Sequence, residues 1–233
     1  MSAAPAPPAA AAPSSSGGGP GAWLLRVEAA FSALTPASLD VEQFLAAAAL
    51  VKEGYAVLYS EGMISRTLSS DLQGNLSKVA ETARATAPPS TTLAQYFERE
   101  FAAGGGTVAG AKARDGLFAG LWLCRTLRFV ARLLALLGDG RALEITAAGR
   151  TTYDEILHQY HGPLLGVIVG MAFSWAPSRA SLIAALREKD GVAGEPQASA
   201  LLARAAAAME KPVAALYALY TERDCDWPDR VGI

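Results

Sequence analysis

The sequence predicts a single all-α domain over residues 22–233. From Trp23 onward, apolar residues recur three or four positions apart, the spacing of one helix face. No stretch shows the sustained alternation of a half-buried strand. The periodic stretches are divided by Pro and Gly clusters, which end helices. No repeat of about 20–50 residues is present.

The elements follow in order. Trp23, Val27, Ala30, Phe31 and Leu34 define a first helix, interrupted at Pro36. Ser38 or Asp40 can cap the next, which places Phe44, Leu45, Ala48 and Val51 on one stripe and continues to about Tyr59. A short break is expected at Glu61-Gly62. Residues 66–86 then carry Leu72, Leu76 and Val79 on one face and Asp71, Asn75 and Lys78 on another. Ala87-Pro88-Pro89-Ser90 ends that helix. Thr92 to Ala102 reads as a short helix, and Gly104-Gly105-Gly106 as a break. A long helix is expected from about Val108 to Leu137, stopping at Gly138-Asp139-Gly140. Residues 150–175 read as helical with a bend near Gly162-Pro163. Residues 178–188 and 197–222 complete the set, the last with a bend at Pro212.

Composition narrows the function. Of 233 residues, 52% are hydrophobic and 18% charged, enough apolar material for a full core and some to spare. The formal net charge of −2 gives no basic excess for nucleic acid. Cys124 and Cys225 belong to no CxxC pair and read as reduced thiols of an intracellular protein. With two Cys and two His, all ungrouped, no metal is expected. Residues 1–21, MSAAPAPPAAAAPSSSGGGPG, read as a disordered Ala/Pro/Ser/Gly-rich tail. They lack the basic start and uninterrupted apolar run of a signal peptide, and the Arg of a transit peptide.

Two apolar stretches invite a membrane reading. Residues 117–137 carry Arg125, Arg128 and Arg132, and residues 163–177 are bounded by Pro163 and Pro177. A spanning helix needs about 20 apolar residues, so both read better as core helices.

The chemistry concentrates in three places. On a helix, Asp71, Asn75 and Lys78 project a carboxylate, an amide and an ammonium from one stripe, a donor and acceptor set suited to a polyhydroxylated ligand. Spacing alone equally describes a solvated face with one Asp–Lys pair. Trp122, in LWLCRTLRF, offers an indole face on which a sugar ring can stack, or fills core. His161, in QYHGPLLGVIVGMAFSWAP, is a polar group at an apolar stretch, or a satisfied structural histidine; His158 lies three residues earlier.

Taken in order, DLQGNLSK, LWLCRTLRF and QYHGPLLGVIVGMAFSWAP resemble the glycolipid transfer protein (GLTP) family, glycosphingolipid-binding branch. The likeness extends over about residues 22–231, including FLAAAALVKEGYAVLY and ALYALYTERD. It implies a single-domain two-layer helical sandwich of about eight helices, enclosing an apolar lipid cavity. The residues matching Asp71, Asn75 and Lys78 would hydrogen-bond the head group, and Trp122 would carry the first sugar. His161 would bind the ceramide amide carbonyl while Asp71 takes the amide N–H, which satisfies one acceptor and one donor. A second branch of the family carries ceramide-1-phosphate, with Arg in place of this Trp and another cation nearby. Trp122 therefore favours sugar over phosphate. Arg125, one turn away, also occurs in the sugar branch and reads as structural or orienting.

A carrier answers a physical need. At about 0.8 kcal/mol per CH₂, withdrawing the two chains of a ceramide costs on the order of 20 kcal/mol. An apolar cavity with a polar mouth offsets this. Candidate lining residues are Phe44, Leu45, Leu157, Leu165, Ile168, Val169, Ala172 and Phe173. Many family members place a Trp two residues after the His, where this chain has Pro163, so Leu164, Trp175 or Trp227 are the candidate membrane anchors. A family Tyr that reaches the sugar aligns near Asp229.

The expectation is a cytoplasmic, monomeric carrier of one glycosphingolipid, in peripheral and transient contact with membranes, without cofactor, catalytic residues or nucleic-acid partner. The alternatives are a glycolipid sensor or adaptor, and a ceramide-1-phosphate transfer protein. An enzyme would have to pair Asp71 with His161, but neither two carboxylates at glycosidase spacing nor an activated nucleophile is visible.

Overall fold

The computed structural model describes residues 22–59 and 62–228. The tail at 1–21, the break at Glu61 and Asp229 lie outside the described residues. Eleven α-helices and two 3₁₀ turns are present among those described. They are α1 (Trp23–Ser32), α2 (Val41–Ala49), α3 (Val51–Tyr59), α4 (Met63–Ala85), α5 (Leu93–Ala103) and α6 (Val108–Lys112). Then follow α7 (Asp115–Gly138), α8 (Ile145–Ile156), α9 (Pro163–Ser174), α10 (Arg179–Asp190) and α11 (Glu195–Thr221), with 3₁₀ turns at Pro36–Ser38 and His158–Tyr160. The architecture is the expected two-layer all-α sandwich. The buried α7 is central and packs most extensively on α11 and α4, then on α8.

Helix starts follow local chemistry. The Asp40 carboxylate accepts from the Gln43 N–H, and Thr92, Thr107 and Ser178 cap α5, α6 and α10 in the same way. Pro163 opens α9, where a missing N–H costs nothing. An isolated strand-like bridge, Asp40 with Thr92, ties the starts of α2 and α5.

Three expected helical segments are divided, which raises the count above eight; residues 150–175 separate into α8, a 3₁₀ turn and α9, with His161 extended between them. The stretch from Asp40 to Tyr59 breaks at Leu50, whose carbonyl is taken at 2.9 Å by the indole N–H of Trp23 on α1. The stretch from Val108 to Leu137 breaks at Ala113-Arg114. Arg114 leaves the helical region and binds Glu100 of α5 through two hydrogen bonds, at 3.1 and 2.9 Å. Conversely, α11 runs through Pro212 as one helix.

A close approach lines the cavity described below. At Gly54 in α3, an added Cβ would collide with the ring of Trp23, so a hydrogen there lets α1 and α3 meet. No single helix among the described residues is long and apolar enough to cross a membrane.

Candidate lipid-binding site

The polar stripe of α4 forms as its spacing requires. Asn75 Nδ2 donates a long hydrogen bond to Asp71 Oδ2, 3.5 Å away. The Asp71 carboxyl borders an apolar cavity. Partial burial there pushes it above the usual carboxylate range, and the Lys78 ammonium works in the opposite direction.

Trp122 comes from the middle of α7. Its indole is half-buried and fixed on several sides. Phe118 and Tyr160 meet it edge-on at 6.4 Å, and His161 lies nearly parallel to it, with centroids 5.6 Å apart and 20° between planes. His161 follows the 3₁₀ turn in extended conformation, so its ring turns back onto α8. There Nδ1 lies 3.1 Å from the Tyr153 hydroxyl. Burial lowers the His161 pKa to about 4, helped by the charge of Arg125 and by His158. The ring is therefore neutral at pH 7. In the tautomer whose Nδ1 accepts from the Tyr153 hydroxyl, Nε2–H is left as a donor.

Asp71, Trp122 and His161 border the same cavity, of about 190 Å³. Its walls come from α1, α3, α4, α7, α8 and α9, among them Trp23, Tyr55, Leu68, Phe129, Leu133 and Leu134. Of the expected lining residues, Leu157, Val169, Ala172 and Phe173 are in the wall. The other four lie elsewhere. Phe44 is in the core, edge-on to Phe31, because its stripe on α2 faces α1. Leu45 opens onto a surface groove between α2 and α4. Leu165 is half-buried on α9, and Ile168 is exposed on that helix. A second, more open space of about 470 Å³ is lined by Arg150, Asp154 and His158 and shares Tyr153, His161 and Phe173 with the first.

Beneath Trp122, Arg125 is 2% exposed. Its Nε and Nη2 donate to Asp226 Oδ1, at 3.2 and 2.7 Å, and Nη2 also donates to the Trp227 carbonyl at 2.6 Å. The guanidinium lies 3.5 Å from the Tyr160 ring centroid and 5.0 Å from that of Trp122. Asp226 Oδ2 accepts from the Tyr160 hydroxyl at 2.7 Å and from the Tyr217 hydroxyl. Burial opposes the charge of Asp226, but the bonds from Tyr217, Arg125 and Tyr160 prevail and hold its pKa below the usual value.

The expected anchors separate. Leu164 and Trp175 are 58% and 60% exposed, beside exposed Val167, Ile168 and Met171 of α9. Trp227 is 6% exposed, because the segment after α11 folds inward to reach Arg125. It is not a surface anchor in this conformation.

Sequence reasoning missed Tyr153, Tyr160, Tyr217 and Asp226. Tyr160 was detectable as the neighbour of His161. Asp226 carries no local signal, since its partner Arg125 is 101 residues away.

Fold and site together define an all-helical protein whose apolar cavity opens beside aromatic and polar side chains. The family pattern described as glycolipid transfer protein (GLTP) matches residues 39–188. The chain belongs to the glycolipid transfer protein family, whose members of this fold are lipid-transfer proteins.

Pleckstrin homology domain-containing family A member 8 of mouse and of rat are each 32% identical over 154 residues, 64% of this chain. The chain spans about 29% of the length of these curated relatives. Among solved structures, that of FAPP2, described as selecting simple glycosphingolipids using the GLTP fold, has a TM-score of 0.76 at 26% identity. The match covers 90% of this chain and 99% of that one. Two further structures share the fold. Human ceramide-1-phosphate transfer protein bound to 2:0 ceramide-1-phosphate has a TM-score of 0.73 at 19% identity, covering 89% and 99%. The fungal glycolipid transfer protein HET-C2 has a TM-score of 0.70 at 20% identity, covering 84% and 95%.

Proposed function

We propose that the protein withdraws one glycosphingolipid from a membrane and delivers it to another, acting as a cytoplasmic, non-catalytic carrier. The observation that carries this reading is that Trp122, Asp71 and His161 border the same apolar cavity. A sugar ring presents an apolar face to the indole, and its hydroxyls find donors and acceptors on Asp71, Asn75 and Lys78. The ceramide amide donates to Asp71, and its carbonyl accepts from Nε2–H of the neutral His161. The chains occupy the cavity against Leu157, Val169, Ala172 and Phe173. The exposed apolar face around Leu164 and Trp175 meets the bilayer during exchange. The likeness to FAPP2 supports a simple glycosphingolipid as the ligand.

Transfer between phosphatidylcholine vesicles tests this. Labelled galactosyl- or lactosylceramide should move, and ceramide-1-phosphate should move far more slowly. The reverse preference would replace this reading with phosphate-lipid transfer. Tight glycolipid binding with negligible transfer would replace it with a sensor or adaptor.

A further inference from the structure

Arg125 poses a selectivity problem. A guanidinium beside the Trp122 and His161 rings is a ready partner for phosphate, whose charge and planar acceptor pairs it matches well. A buried cation without a counter-charge is also costly, and so draws in an anion where one can reach it. Here the counter-charge comes from the chain itself. After α11, Cys225 N donates back to the Tyr220 carbonyl at 2.7 Å, and the next residue, Asp226, enters beneath the site.

Donors from three elements converge on its carboxylate. Arg125 of α7 takes Oδ1, while Tyr160 of the 3₁₀ turn and Tyr217 of α11 share Oδ2. Cys225 and Trp227 on either side of Asp226 are buried, and Nη2 of Arg125 also binds the Trp227 carbonyl. A carboxylate bonded to Nε and Nη2 of Arg125 adds something different, because it neutralises the cation that would otherwise draw an anionic head group.

We propose that Asp226 is a positioning residue for head-group selectivity: it holds and neutralises Arg125 beneath Trp122, and so excludes phosphate from a site suited to uncharged sugar. The inference rests on the glycosphingolipid reading above. Asp226 acts through Arg125 and need not touch the lipid.

The test is the ratio of galactosylceramide to ceramide-1-phosphate transfer between phosphatidylcholine vesicles, with folding checked by circular dichroism. In Asp226→Asn the ratio should fall by about tenfold or more, through a gain for the phosphate lipid. Asp226→Glu should stay within about threefold of the parent. The double variant Arg125→Gln/Asp226→Asn removes cation and lock together and should recover the parent ratio to within about threefold. A folded Asp226→Asn that slows both lipids in proportion would overturn the proposal, since a purely structural role predicts that result. If Asp226→Asn does not fold, Tyr217→Phe carries the test. It loosens the carboxylate without removing charge and should lower the ratio about two- to threefold, and an unchanged ratio would overturn the idea. A parent protein that itself prefers ceramide-1-phosphate would instead remove the glycosphingolipid reading, an outcome distinct from failure of the lock alone.

Discussion

The imidazole of His161 lies nearly parallel to the indole of Trp122, with centroids 5.6 Å apart, and through its other side Nδ1 reaches the hydroxyl of Tyr153. The proposed sugar platform and amide-binding group are thus held by each other. Changes at either position should register at both.

Replacing Trp122 by Ala should lower galactosylceramide transfer by about two- to tenfold, since a stacked ring contact is worth about 0.5–1.5 kcal/mol beyond its buried area. Phe at this position should retain part of the rate. Vesicle transfer assays on protein of unchanged helical content provide the check.

The depressed pKa of His161 couples stability to pH. Between the ordinary histidine value of 6.5 and the folded value of about 4, the unfolded chain binds a proton that the folded chain does not. The contribution is fully present above pH 6.5 and is lost as pH falls toward 4. Urea unfolding should show a loss of about 2 kcal/mol from this group between pH 7 and pH 5. His161→Gln should remove that part of the slope.

Val169 lines the cavity, and an arginine there would place an unpaired charge where the proposed function puts hydrocarbon. Val169→Arg should abolish transfer while leaving the helical spectrum intact. Ordinary transfer by a folded variant would exclude Val169 from the lipid path.

Trp175 is the tryptophan placed to report on membranes, being 60% exposed beside the apolar face of α9, whereas Trp227 is buried. Intrinsic emission should shift to the blue when vesicles are added. The shift should be lost in Trp175→Phe, and Leu164→Ala should weaken vesicle binding measured by co-flotation.

What could be read from the sequence depended on how far apart the partners lie. The cap at Asp40 was legible because its carboxylate contacts an N–H three residues on. The stripe of Asp71, Asn75 and Lys78 was legible because helix geometry fixes it. The break before α7 was not, because it depends on a distant partner: Arg114 is drawn out by Glu100, an ion pair across α5 and α7. Phe44 had the right apolar character for a cavity wall, yet α1 covers it. The ordering of Arg125 by Asp226 was hidden for the same reason, because only the finished fold brings the chain end to the middle of α7.

The space inside the molecule also depends on a group that is missing. Trp23 forms part of the cavity wall, and its ring occupies the position a side chain on Gly54 would take. Its indole N–H is already fixed on the Leu50 carbonyl. One methyl group at position 54 would have to displace that ring and so redraw the wall. The shape of the cavity is therefore set partly by a single hydrogen atom on α3.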